Sequence, residues 1–211
     1  MKIIKDTANI VVLGAWNKAI LTPEWVKKNI FPEITNLQVN VPAPHIMDQA
    51  SYQYNTPDLL FNINGQRFEF RTNSSYEKTV KYTRDILRKL IFTPVTSVGI
   101  NVAFSEIIEN IPDSLKKRLV AEDDIENKIN AETLISSSLS KSIQIETNHK
   151  LNITILNTSN QYIFDFNFDY NVSDIENVLN IFGENNTIID DKISIVANLL
   201  YELYGLGIEN N

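Results

Sequence analysis

The sequence predicts an α+β fold, antiparallel sheets with packed helices in two similar strands-then-helix halves, and three observations carry that prediction. Tyr162, Phe164, Phe166, Phe168 and Tyr170 alternate with Ile163, Asp165, Asn167, Asp169 and Asn171, and a period of two sends every ring to one side of a strand. Asn64-Gly65 separates two alternating apolar runs and suits the centre of a type I′ hairpin turn. Ser74 with Glu77, and Ser173 with Glu176, have the spacing of capping boxes that open a helix after the strands of each half.

Ile10 to Leu13 form a first buried strand that ends near Trp16. Thr22 then caps a helix with Pro23 at its first position, and Pro32 stops it after Phe31. Leu37, Val39 and Val41 alternate as a second strand. Pro42, Pro44 and Pro57 bracket a long loop containing His45, Tyr52 and Tyr54, and a loop of that length is a candidate binding surface. In the hairpin, a turn centred on Asn64-Gly65 sets Ile63 against Gln66, Phe61 against Phe68 and Leu59 against Phe70 on the buried side, with Asp58, Glu69 and Arg71 facing outward.

The next helix keeps Tyr76, Val80, Thr83, Leu87, Leu90 and Ile91 on one face and Lys81, Arg84, Asp85, Arg88 and Lys89 on the other. Pro94 ends it, and Val98, Ile100, Val102 and Phe104 make another strand. A polar stretch follows, with opposed clusters Lys116-Lys117-Arg118 and Glu122-Asp123-Asp124. We therefore divide the chain into an N-terminal half at 1–110, a connecting region at 111–138 and a C-terminal half at 139–211. Two strands, Ile143 to Ile145 and Leu151 to Ile155, join the aromatic strand in an antiparallel run. A short helix ends near Gly183, and a longer one runs from about Asp190 to a C-capping Gly205. In that last helix apolar residues occupy all but the narrow stripe Ser194, Asn198 and Glu202, so it is either covered on most sides or offers an apolar flank to another chain.

Composition narrows the functional classes. The 211 residues are 43% apolar, ample for a packed core, and 19 basic against 26 acidic side chains leave a net charge of -7. That charge opposes a phosphate backbone. No cysteine is present and His45 and His149 are the sole histidines, which excludes disulfides, thiolate nucleophiles and histidine-rich metal sites. No stretch approaches the roughly 20 apolar residues that span a bilayer, and the opening MKIIKDTANIVVLG lacks the features of a secretory leader. A cytoplasmic protein is expected.

Trp25 in its helix, Phe68 to Arg71, Tyr76 opening the next helix, Ser97-Val98-Gly99-Ile100-Asn101, and the Phe164 to Asp169 strand before the last helix form a series. In that series the chain resembles a sporadically distributed family of uncharacterised bacterial proteins with a two-half α+β architecture. The resemblance implies a role in a defence or mobile-element module and implies no activity.

One pattern has the shape of a reactive site. Pro57-Asp58 is followed after ten residues by Glu69-Phe70-Arg71, which resembles the PD-(D/E)xK nuclease motif. That resemblance implies magnesium held by Asp58 and Glu69, with Arg71 standing where the motif has lysine. A guanidinium stays charged and serves poorly as a base, and Asp58 paired with Arg71 across a wet sheet face accounts for the same residues. Asp165, Asn167 and Asp169 project side by side and suit either a divalent cation or a solvated face. Lys78, Lys81, Arg84, Arg88 and Lys89 are interleaved with Glu77 and Asp85, as on an ordinary solvated helix. The reading that remains is a non-catalytic adaptor or accessory subunit without cofactor or metal. It binds a protein partner, or its own kind as a homo-oligomer, through His45, Tyr52 and Tyr54 in the long loop, Ile195 and Leu199 on the last helix, or both. Neither membrane nor nucleic acid is expected as partner.

Overall fold

The computed structural model describes residues 1–40, 51–56, 59–72, 74–119, 136–158 and 160–208. The strands are β1 (Lys2–Ile3), β2 (Asn9–Gly14), β3 (Gln38–Asn40), β4 (Tyr52–Asn55), β5 (Leu59–Ile63), β6 (Arg67–Thr72), β7 (Val95–Ile107), β8 (Ser137–Glu146), β9 (His149–Asn157) and β10 (Gln161–Asn171). The helices are α1 (Pro23–Asn29), α2 (Tyr76–Lys89), α3 (Asp113–Leu119), α4 (Ile175–Phe182) and α5 (Ile188–Tyr204). The strands form one large antiparallel sheet in the order β3-β4-β5-β6-β2-β7-β10-β9-β8, with β1 pairing the far end of β7.

Strands from both ends of the chain share this sheet because β7 is long enough to serve two neighbours. Its thirteen residues pair with β10 from Ser97 to Ile107 along one side and with β2 and β1 along the other. The core lies on one face. Ile10 and Val12, Phe68 and Phe70, Val98 to Phe104 at even positions, and Phe164, Phe166 and Phe168 are buried there. Every described helix contributes to that same core, through Val26, Leu87, Leu115, Val178 and Val196 among others. Each large apolar side chain so buried contributes about 1.5–3 kcal/mol.

Local chemistry explains the element ends. Thr22 accepts from the Trp25 N–H with Pro23 next to it, and Gly205 closes α5 at φ 68°, both as expected from sequence. The two capping boxes stand one residue later than expected. Ser75 accepts from the Lys78 N–H and Asp174 from the Asn177 N–H, since those are the side chains placed over the orphan N–H groups of the first turn.

The hairpin is also corrected. Ile63 pairs with Phe68 and Phe61 with Phe70, so the turn centres on Gly65-Gln66. Asn64 takes the corner, its Oδ1 accepting from the N–H groups of both Gln66 and Arg67. The slip moves the partners but keeps the expected faces, because the pairing sum changes by two. It places Tyr54, Phe61 and Phe70 in direct cross-strand register, with Tyr54–Phe61 centroids 5.4 Å and Phe61–Phe70 centroids 4.4 Å apart, both stacked.

Candidate functional site

Tyr52 and Tyr54, expected in a loop, lie in strand β4. Tyr54 is wholly buried and its hydroxyl donates to the Leu21 carbonyl at 2.6 Å, so it is a core residue and no partner reaches it. Burial, with Tyr52 and Glu24 nearby, pushes its phenol far above the usual range. Tyr52 is half-buried against the same core. His45 and Asp58 lie outside the described residues, as do Glu122, Asp123 and Asp124.

Glu69 occupies the sheet face opposite the helices and is only 6% exposed. Arg71 approaches one of its oxygens at 2.7 Å and Arg67 the other at 3.2 Å. Asn9 donates to the same oxygen as Arg71, at 3.0 Å. The carboxylate is therefore held by three donors.

From Glu69 a row of side-chain hydrogen bonds runs across the sheet, and sequence reasoning missed it. Asn101 on β7 donates to Asn9 at 2.5 Å, Asn167 on β10 donates to Asn101 at 2.7 Å, and Asn152 on β9 donates to Asn167 at 2.8 Å. Ser142 on β8 completes it, donating to Asn152 at 2.7 Å. Register produces the row, since Asn9, Asn101, Asn167, Asn152 and Ser142 are successive cross-strand partners. Its direction follows from chemistry. A carboxylate only accepts, so Asn9 must turn its amide N–H to Glu69 and its oxygen to Asn101, and each later amide inherits that orientation. Each amide keeps a second N–H and a second lone pair for solvent or a ligand.

Beside Glu69 the face opens into a groove of about 530 Å³ lined by Asn40, Gln53, Asn62, Asn64, Arg67 and Glu69. Asn40 donates to Gln53 at 2.9 Å. Neutral amides dominate this lining, with the Ser51 hydroxyl, one paired acid and one paired base beside them, so the groove offers mainly hydrogen bonds.

Asp165, Asn167 and Asp169 of β10 do not converge. Asp169 is taken by Lys150 at 3.0 Å and Ser97 at 3.2 Å, Asn167 belongs to the amide row, and Asp165 is exposed. Desolvation by the sheet around it raises the Asp165 pKa despite that exposure, while a hydrogen bond from the Phe166 N–H opposes the rise. Among the described residues no group of three or more His, Asp or Glu side chains is placed to hold a metal.

On α2 the expected basic face loses Arg84. It is 8% exposed and its guanidinium donates to the Glu184 carbonyl at 2.6 Å and to Asn186 Oδ1 at 2.8 Å, tying α2 to the turn between α4 and α5. On α5, Ile189, Lys192, Val196 and Leu200 are buried while Ile195 and Leu203 are each 48% exposed, with Leu199 half-buried between them. These last three, spaced four apart, share one flank of the helix. Among the described residues no helix is long and apolar enough to cross a membrane.

No family model matches the chain. A search of curated proteins likewise finds no match.

Proposed function

We propose that this chain is a non-catalytic adaptor or accessory subunit of the bacterial cytoplasm, acting in a defence or mobile-element module by binding a protein partner or its own kind. The observation that carries the reading is the apolar flank of α5, where Ile195, Leu199 and Leu203 stand in line with the outer two each 48% exposed. Three aligned aliphatic side chains on a helix whose other side packs Ile189, Val196 and Leu200 into the core are the pattern of a helix-to-partner contact. Tyr52 and His45 belong to the same proposal as a second contact area, whereas Tyr54 does not.

We also read the chain as two similar halves joined in one sheet. Strands β4, β5 and β6 form an antiparallel run followed by α2, and β8, β9 and β10 form a second run followed by α4 and α5. This plan supports a duplication of architecture.

The competing reading is a magnesium nuclease using Asp58 and Glu69. Both Glu69 oxygens already accept charge-assisted hydrogen bonds from arginine, and a metal would have to displace them. Incubation of the protein with DNA and RNA in magnesium, beside Asp58→Ala, separates the two. The adaptor reading expects no cleavage from either protein, and cleavage lost in Asp58→Ala rejects it.

A further inference from the structure

We propose that the groove over strands β3 to β6 binds a small sugar anion, its carboxylate or phosphate held by Arg67 and its hydroxyls by the amides of the floor. The inference goes beyond the adaptor reading and does not rest on the α5 flank.

Strand pairing builds the floor. Asn40, Gln53, Asn62 and Glu69 are successive cross-strand partners on β3, β4, β5 and β6. Gln53, Asn62 and Glu69 alternate along their strands with the buried Tyr54, Phe61 and Phe70, so the row stands on the sheet face turned away from the helices. Four strands make a floor roughly 14 Å across. With a volume of about 530 Å³ the groove has the size of an ordinary small-molecule site.

The lining selects a polar ligand. Small-molecule sites are mostly walled by apolar and aromatic side chains. Among the described residues this one has Ile63 and no ring, so a flat apolar ligand has nothing to stack on. An amide carries donor and acceptor together, as a hydroxyl does, and a row of amides therefore matches a polyol. Asn40 donates to Gln53 at 2.9 Å, which leaves the Gln53 N–H groups for a ligand. Among the described residues the Asn62 side chain makes no hydrogen bond, and it stands in the middle of the row.

The hairpin end of the groove adds the preference for an anion. Asn64 Oδ1 is already taken by the Gln66 and Arg67 N–H groups, so its Nδ2 remains as a donor. Arg67 spends Nη2 on Glu69, yet its side chain is 49% exposed. The rest of its planar fork is open to a carboxylate or phosphate. Arg71 binds the same Glu69, and two guanidiniums against one carboxylate leave positive charge in excess at this end. Glu69 is the one acid among the described lining residues.

Isothermal titration calorimetry of the full chain with glucuronate, glucose 6-phosphate, glucose and inorganic phosphate is the test. One or both sugar anions should bind about tenfold or more tighter than glucose, which lacks the charge, and than phosphate, which lacks the hydroxyls. Tighter glucuronate assigns the anion as a carboxylate, and tighter glucose 6-phosphate as a phosphate. Arg67→Gln and Gln53→Glu should each weaken that binding by about tenfold or more with unchanged far-UV circular dichroism. Arg71 and Asn9 still hold Glu69 in the first variant, and the second keeps the oxygen to which Asn40 donates. Ile195→Glu adds the same charge on α5, across the sheet, and should leave binding unchanged. Absence of binding by both sugar anions overturns the proposal, as does glucose or phosphate that binds as tightly as they do. Folded Arg67→Gln and Gln53→Glu proteins that keep wild-type affinity overturn it, and so does Ile195→Glu if it weakens binding as much as Gln53→Glu. Partner capture by the α5 flank stands or falls separately.

Discussion

Asn9 donates its side-chain N–H to Glu69 at 3.0 Å, and that contact orients every amide in a row crossing six strands from β6 to β8. Both residues are nearly buried, at 8% and 6% exposure, so reversing the donor is costly. Asn9→Asp replaces the donor with a second carboxylate against Glu69. It should destabilise the fold by about 3 kcal/mol at neutral pH. The two acids raise one another's pKa in the folded state, so the penalty shrinks as pH falls and a proton is shared. Urea unfolding at neutral and mildly acidic pH checks this, with Asn9→Leu as a control that loses stability without that pH dependence.

Gly99 makes room for the same row. A Cβ added there would stand 2.9 Å from Asn167 Nδ2, the atom that donates to Asn101. Gly99→Ala should displace that amide and cost about 1–3 kcal/mol, the expected range for a polar group left without its partner. Gly65→Ala meets nothing within 4 Å and should change the unfolding midpoint far less.

His149 gives the fold a pH response of known sign. Its ring stacks on Tyr170 with centroids 4.0 Å apart. Desolvation, and then the charge of Lys192, hold its pKa below the usual value. Burial likewise pushes the Tyr170 phenol up to about 12. A histidine with a depressed folded pKa contributes stability that is fully present above its unfolded value of about 6.5 and is lost as pH falls through the folded pKa. Unfolding free energy should therefore decline on acidification below about 6.5, and His149→Phe, which keeps a ring on Tyr170, should remove that part of the decline.

Tyr54 separates a core role from a partner-binding one. Tyr54→Phe removes the hydroxyl that satisfies the Leu21 carbonyl and should cost about 1–3 kcal/mol. Phe61→Ala, which opens the stack between Tyr54 and Phe70, should cost about 3–5 kcal/mol. Thermal unfolding measures both, and Tyr54→Phe should leave partner capture unchanged.

Features encoded in a few adjacent residues are legible in the sequence itself. The alternating rings of β10 are buried as their period requires, and Thr22-Pro23 and Gly205 mark the helix ends they suggest. Choices between neighbouring residues of equal propensity are not legible. Ser74 and Ser75 are both competent caps, and Asn64 can stand within a turn or, as here, at its corner. Long-range register is hidden for a different reason. The pairing of β7 with β10 joins residues 66 apart, as between Asn101 and Asn167, and no local pattern encodes it. The amide row depends wholly on that register, because its asparagines are individually ordinary outward-facing residues. Their recurrence on successive strands is the available signal, and it acquires meaning only once strand order is known. The prolines around Tyr54 suggest a loop, whereas the period of two through Tyr52 and Tyr54 is the strand signal that prevails.

The most direct measurement is affinity capture from the source cell with wild type beside the Ile195→Glu, Leu203→Glu double variant, identified by quantitative mass spectrometry. The account predicts a partner enriched with wild type and lost with the variant, while the variant unfolds at the wild-type temperature. Equal enrichment of the same proteins by both would contradict the assignment of the α5 flank as the contact surface.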